Sequence, residues 1–313
     1  MRLLVSRAQT ARVSAILRDE FEAEFRDKDA PMTVAEARAA LADYDALLPT
    51  LGDAFGAAAF TGPIRAKLLA NFGVGVNHID LAAARAAGIA VTNTPGAVTD
   101  ATADIAMTLL LMSARRASEG ERLLRAGEWT GWAPTQMLGA HVTGKRLGII
   151  GMGRIGQAVA RRAHYGFGME IAYTTRSPQN LPFAPPPLPL HDLLAWADFV
   201  VLAVPATAET RNMIGAAELA AMRPHAHLIN VARGDVVDEA ALIAALEAGQ
   251  IGGAGLDVYA KEPLVPEALR CLNNVTLLPH LGTATEEVRD AMGMMAVENL
   301  RAFRHGKALP NPV

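Results

Sequence analysis

The sequence predicts an α/β protein built from two parallel-sheet domains, and three observations carry that reading. Short apolar runs of strand length alternate with helical patterns almost throughout, the alternation that helices packed on a parallel sheet produce. A glycine triplet, Gly151, Gly153 and Gly156, stands between an apolar run and a helical pattern. Six strand-like runs follow one long central helical segment, against three before it.

The 313 residues are 51% hydrophobic, material enough for about two packed cores. A net charge of −3 supplies no basic field for nucleic acid. IAMTLLLMSA, bounded by Asp104 and Arg115, is far shorter than the ~20 residues a membrane span needs and reads as a buried helix, so no membrane partner is expected. The single cysteine, Cys271, allows no internal disulfide framework, and MRLLVSRAQT lacks the continuous apolar run of a secretory signal. A soluble chain in a reducing cytoplasm is therefore expected.

Taken in order, RLLVS, DALLPT and IAVTN read as strands of a first unit, with TVAEARAALADY as a helix opened by a capping box of Thr33 and Glu36. Residues 99–129, TDATADIAMTLLLMSARRASEGERLLRAGEW, read as one long helix, able to bridge two domains or pack against a second subunit. RLGII, MEIAYTT, FVVLAV, HAHLINVA, GAGLDVY and VTLLP are the strands of the second unit. Helical patterns separate the first five, and a shorter proline-marked connection precedes the last. Six is the strand count of a doubly wound dinucleotide fold. LPFAPPPLPL, residues 181–190, reads as an extended connection, and ATEEVRDAMGMMAVENLRAFRHG as a helix that returns to the first unit.

In RLGIIGMGRIGQAVARR, Gly151, Gly153 and Gly156 form G-x-G-x-x-G: a tight turn, a close approach of backbone to a pyrophosphate, and tight packing of helix on strand. The bare pattern is weak; set between strand and helix and followed by five more strands, it points to a dinucleotide. The next strand ends in AYTTRSP. Thr175 lies 24 residues after Gly151, near the ~20 at which an acid would take the ribose 2′-hydroxyl. A carboxylate there would repel a 2′-phosphate, whereas Thr175, Arg176 and Ser177 offer two hydroxyls and a guanidinium fork. The alternative is a solvated turn with an incidental arginine. NADP(H) is the preferred cofactor on this reading, with NAD(H) still open.

Arg233, Asp257, Glu262 and His280 each lie at or just beyond the carboxyl end of a predicted strand. In an open parallel sheet those ends share one crevice, where ligands bind. Taken singly, Arg233 or Glu262 would read as a surface ion pair and His280 as a core histidine. Together, at the edge that carries the phosphate loop, they read as a site.

NVARGDVVDEAALIAALEAGQIGGAGLDVYAKEP followed by PHLGTAT resembles the signature of the D-isomer-specific 2-hydroxyacid dehydrogenases, and the likeness extends to FGVGVNHIDL, NTPGAVTDATADIAMTLLL and EWTGWAPTQMLG. Within that family the chain is most similar to the glyoxylate/hydroxypyruvate reductases, or glycerate dehydrogenases. The resemblance implies two Rossmann-like domains with the active site in the cleft between them: residues 1–97 plus 285–313 as a flavodoxin-like substrate domain, and 98–284 as the dinucleotide domain. It also implies a homodimer joined through the cofactor domain. It makes His280 the acid/base, Glu262 its hydrogen-bonded partner and Arg233 the substrate anchor. Val74 and Gly75 match the loop whose N–H groups share the substrate carboxylate. Asp257 matches the residue that holds the nicotinamide amide, Arg154 and Ile155 lie over the pyrophosphate, and Thr102, Pro205, Thr210, Ala232 and Gly282 match other cofactor-lining positions. Leu51 is expected to face the substrate's second carbon substituent, and Trp132 to approach the cleft.

The residue types suit that chemistry. Reduction of a 2-keto acid puts hydride on the carbonyl carbon while the oxygen takes a proton, a task for a histidine titrating near neutral pH. The substrates implied are glyoxylate and hydroxypyruvate, giving glycolate and D-glycerate; other D-2-hydroxy acids with NADH are the alternative. Thr283 stands where the family commonly has serine, and Thr175 where NAD-using members have an acid. His225 and His227 lack the partners of a metal site, and no metal is needed for this chemistry. A dinucleotide-sensing corepressor or scaffold of the same fold is the rival reading, against which stands the lack of long disordered extensions or a basic arm.

Overall fold

The chain divides into two units, Met1–Val98 with Thr283–Val313, and Thr99–Gly282. The computed structural model describes residues 1–177, 179, 181–183 and 187–313. Pro178, in AYTTRSP, then Asn180, and Ala184, Pro185 and Pro186, in the predicted extended connection, lie outside the described residues.

The first unit opens with β1 (Arg2–Val5), α1 (Ala11–Glu20), β2 (Glu22–Phe25), α2 (Val34–Asp43), β3 (Ala46–Leu48), β4 (Leu68–Ala70), α3 (Leu81–Ala86) and β5 (Ala90–Thr92). Every pairing is parallel, in the order β2-β1-β3-β4-β5. Leu3, Val5, Leu48, Leu68 and Leu69 are fully buried, as strands covered on both faces require. The predicted capping box at Thr33 and Glu36 is present at the start of α2. β2 and β4 are additions to the three strands the sequence predicts. β2 is an edge strand, EAEF, with Glu22 and Glu24 exposed, and β4 is only three residues long inside an apolar stretch with no alternation.

The second unit begins with α4 (Thr99–Ala114) and α5 (Ala117–Arg125), and here the prediction of one helix over 99–129 is corrected. The chain breaks at Arg116, which takes a left-handed backbone with φ 53°. The cause is tertiary. Ala140 N–H donates to Ala114 O at 2.7 Å, taking a carbonyl that a continuing helix would use, and Gly139 lies so close that a Cβ there would stand 2.4 Å from that oxygen. The Arg116 guanidinium then grips Glu119, in the first turn of α5, through two nitrogens at 2.7 and 2.8 Å.

There follow β6 (Arg146–Ile150), α6 (Arg154–Phe167), β7 (Glu170–Thr174), α7 (Leu190–Trp196), β8 (Phe199–Leu202), α8 (Ala216–Ala221), β9 (His227–Asn230), α9 (Glu239–Glu247), β10 (Gly253–Leu256), α10 (Glu267–Cys271) and β11 (Val275–Leu277). The six strands are again parallel, in the order β11-β10-β9-β8-β6-β7, so the direction of winding reverses between β6 and β8. The carboxyl ends beside such a reversal are where open α/β sheets bind ligands. The last helix, α11 (Glu286–Arg304), belongs to the first unit and packs on α1 and β4. Among the described residues no helix is long and apolar enough to cross a membrane.

At the opposite end of the second sheet, His227 stacks on Phe199 at 5.4 Å and shares a 2.7 Å hydrogen bond with the Ser113 hydroxyl on α4. Burial, and after it the charge of His225, pushes the His227 imidazole down to about 4 from 6.5. The fold thus holds it neutral, while the unfolded chain takes up the proton below pH 6.5. Stability therefore falls as pH drops from 6.5 towards 4, by at most about 3 kcal/mol for this group. His227→Gln, which keeps a polar partner for Ser113 but cannot titrate, is expected to flatten that part of the urea-midpoint-against-pH curve. An unchanged slope would show that another group carries it.

Candidate active site

The three glycines after β6 have different tasks. Gly151 has φ 98°, and a Cβ there would meet Ala203 O at 2.6 Å; at Gly156 a Cβ would stand 2.1 Å from Gly151 O. Both are demanded by the protein's own packing. Gly153 has φ −74°, which any residue adopts, and a Cβ there meets nothing within 4 Å. The room in front of it is open. α6 starts at the next residue with no side-chain cap, so the N–H groups of its first turn, which includes Arg154 and Ile155, have no partner there. A bare helix N-terminus behind a close-approach glycine fits the pyrophosphate of a dinucleotide.

Thr175 is half-buried directly after β7, and Arg176 and Ser177 are exposed. Gln179 ties this tip down: Tyr173 Oη donates to its backbone O at 2.8 Å, its own amide donates to Ser177 O at 3.1 Å, and Gln157 Nε2 of α6 donates to Gln179 Oε1 at 3.2 Å. Nothing in the sequence pattern marked Gln157, Gln179 or Glu209. The Thr207 hydroxyl, then a backbone N–H and more weakly the Arg176 charge hold the Glu209 carboxyl below its ordinary value.

His280 follows β11 with a left-handed backbone, φ 55°. Asp257, almost fully buried just beyond β10, holds this turn. Its backbone O accepts from His280 N at 3.0 Å, and its two carboxylate oxygens accept from Leu281 N at 2.6 Å and Gly282 N at 2.8 Å. Burial raises the Asp257 carboxyl above the usual carboxylate range despite those N–H groups. Thr102 Oγ1, on α4, donates to Gly282 O at 3.2 Å.

Glu262 bridges two partners: Oε1 accepts from Tyr259 N at 3.1 Å, and Oε2 meets His280 Nδ1 at 2.8 Å. Burial works to raise this carboxyl, but His280, the Tyr259 N–H and Arg233 outweigh it and leave it below its ordinary value. Arg233 follows β9. Burial lowers its guanidinium, opposed by the charges of Glu262 and Asp235, and Nη1 donates to Ala232 O at 2.7 Å. Its backbone is set by Asn230, whose side chain takes Ala232 N at 3.0 Å and gives to Arg233 O at 2.9 Å. At Gly234 a Cβ would stand 1.8 Å from the Tyr259 carbonyl carbon, so this glycine lets the Arg233 loop lie against the loop of Glu262. Asn230, Gly234 and Tyr259 escaped the sequence reading because they act on neighbours rather than on a ligand.

The remaining residues divide between the units. Pro205 O accepts from Thr210 Oγ1 at 2.7 Å, so the Thr210 hydroxyl is engaged in closing the loop after β8. Leu51, Val74 and Gly75 lie in the first unit, on the turns after β3 and β4, and Trp132 in the second, exposed. Among the described residues no three His, Cys, Asp or Glu gather as they would around a metal ion.

The profile of the D-isomer specific 2-hydroxyacid dehydrogenase, NAD binding domain, matches residues 107–282. A glyoxylate reductase of Thermococcus gammatolerans is 45% identical over 323 aligned positions, covering 100% of this chain and 95% of the relative. The crystal structure of the TT0316 protein from Thermus thermophilus superposes with a TM-score of 0.93 at 43% identity, covering 100% of both chains. An NADPH-dependent glyoxylate/hydroxypyruvate reductase from Sinorhizobium meliloti, solved in complex with NADP and malonate, superposes with a TM-score of 0.88 at 38% identity, covering 100% of this chain and 96% of that one.

The contrast among the glycines yields a test. Gly153→Ala meets no protein atom, so the variant is expected to melt within about 2 °C of wild type while its Kd for NADPH, read by fluorescence titration, rises at least roughly tenfold as the methyl fills the approach to the pyrophosphate. Unaltered affinity would remove that residue from the cofactor site.

Proposed function

This chain belongs to the D-isomer specific 2-hydroxyacid dehydrogenase family and is an NAD(P)-dependent oxidoreductase, and from that premise we propose an NADPH-preferring reductase of small 2-keto acids, glyoxylate and hydroxypyruvate, with His280 as the proton donor. The observation that carries the reading is the 2.8 Å contact of His280 Nδ1 with Glu262 Oε2, with the half-buried Arg233 acting on the same Glu262 carboxylate and at the same sheet edge as the Gly151–Gly156 loop.

A bound reduced nicotinamide would supply the hydride for the carbonyl carbon. The protein supplies the rest. Glu262 engages Nδ1, which fixes the ring and leaves Nε2 to deliver a proton to the carbonyl oxygen. Arg233 stays charged where water is scarce, and takes the substrate carboxylate while drawing charge onto the ketone oxygen. The left-handed turn at His280, clamped by Asp257, removes freedom that the ring would otherwise have to lose on reaching the transition state. Asp257 keeps its assignment to the nicotinamide amide, alongside that clamp.

For the coenzyme, the exposed Arg176 with Thr175 and Ser177 favours a 2′-phosphate, and no acid occupies the end of β7. The chain is proposed to work in the cytoplasm as a homodimer joined through the second unit. Leu124, Trp129, Trp132 and Leu138 are all at least half exposed there, an apolar stretch that a second copy would cover.

His280→Ala is expected to lower kcat for NADPH-dependent glyoxylate reduction by about 10² to 10⁴ with the NADPH Kd within about twofold, since a general acid acts only in the chemical step. Near-normal turnover would sink the mechanism, and no turnover in wild type would favour a dinucleotide-sensing role. Arg176→Ala should cost kcat/KM about 10- to 100-fold with NADPH and little with NADH. Equal losses with the two coenzymes would show that Arg176 binds no phosphate.

A further inference from the structure

The turn after β4, FGVGVNH, has an unusual division of its backbone groups. Its carbonyls are taken in succession. Gly73 O accepts from Thr94 N at 3.0 Å and from Asn71 Nδ2 at 3.1 Å, Val74 O from Asn93 Nδ2 at 2.9 Å, Gly75 O from Asn71 Nδ2 at 3.1 Å, and Val76 O from Ile79 N at 2.9 Å. The N–H groups of Val74, Gly75, Val76 and Asn77 have no partner among the described residues. A loop whose carbonyls are tied back on its own scaffold turns its amide hydrogens outward, and successive outward N–H groups form an anion-binding concavity.

Two further features of the first unit point the same way. Arg289 of α11 lies with its guanidinium 5.9 Å over the ring of Phe72, next to Gly73. It has no carboxylate partner among the described residues, and burial lowers its pKa. The support of Asn93 is also fixed. Its backbone N–H donates to Asn311 O at 3.1 Å, and Asn311 is held in turn by the fully buried Asn299 of α11, through two bonds of 3.1 Å.

We infer that Asn71 and Asn93 are positioning residues of this loop: they pin its carbonyls inward so that the N–H groups of Val74 to Asn77 receive one carboxylate oxygen of the 2-keto acid. The inference rests on the reading of the chain as a keto-acid reductase and adds to it the residues that set how tightly the carboxylate is held. Asn71 acts on two carbonyls and is almost fully buried; Asn93 acts on one and is partly exposed, so it can be changed without opening the core.

The test pairs kinetics with a measurement free of turnover. In Asn93→Ala the KM for glyoxylate is expected to rise about five- to tenfold, the loss of roughly one hydrogen bond, with kcat within about twofold and the NADPH Kd unchanged. Asn71→Asp, which keeps the shape but faces two carbonyls with an acceptor, should do more. In ¹⁵N-labelled wild type, oxalate should shift the amide resonances of Val74, Gly75 and Val76, with a weaker Kd in Asn93→Ala. A KM that stays put in a folded Asn93→Ala, or amides that ignore oxalate, overturns the inference. Oxalate shifts at these amides in a protein that reduces no keto acid would instead overturn the proposed function and leave the loop's role standing.

Discussion

A buried carboxylate whose two oxygens each accept a backbone N–H is the constraint on which the second unit turns. Asp257 sits beyond β10 and takes the N–H groups of Leu281 and Gly282, beyond β11. Two neighbouring strand ends are thereby locked, and His280 between them is held in a left-handed conformation that a non-glycine residue adopts only at some cost. Without that clamp the imidazole would be free to leave Glu262. With it, the 2.8 Å contact is a property of the folded chain before any ligand arrives. The same economy appears at Arg233, whose backbone is set by Asn230 and whose loop is admitted by the missing side chain of Gly234.

Much of this was legible in the sequence, for a physical reason. Gly151, Gly153 and Gly156 stand at a fixed spacing because strand, turn and helix have fixed geometry, and Arg233, Glu262 and His280 each follow an apolar run because strand ends are where a parallel sheet presents side chains. The Thr33 and Glu36 box was readable because its partners are three residues apart. What was hidden depends on pairs distant in sequence. The helix break at Arg116 is set by Gly139 and Ala140, and the edge strand β2 exists only because β1 lies beside it.

The supporting residues were hidden for a related reason. Asn71, Asn93, Gln157 and Asn230 are ordinary polar residues in composition, and each matters through the one or two neighbouring groups that its side-chain amide holds. A pattern of residue types can mark groups that meet a ligand, since chemistry narrows the choice. It marks far less well the groups that aim a backbone, where many side chains of similar shape would look alike. The two units share this habit of fixing loops at strand ends with side-chain amides.

The uncapped start of α6 leaves the second unit with an unfinished helix. A bound dinucleotide would supply the missing acceptors, so coenzyme is a structural part as well as a reagent. Folding and coenzyme supply are then linked by mass action, worth about 2.7 kcal/mol when the free coenzyme stands at 100 times its Kd. In a cell whose nicotinamide pool is depleted, the protein would lose lifetime as well as turnover, and its abundance would follow the pool on which it draws.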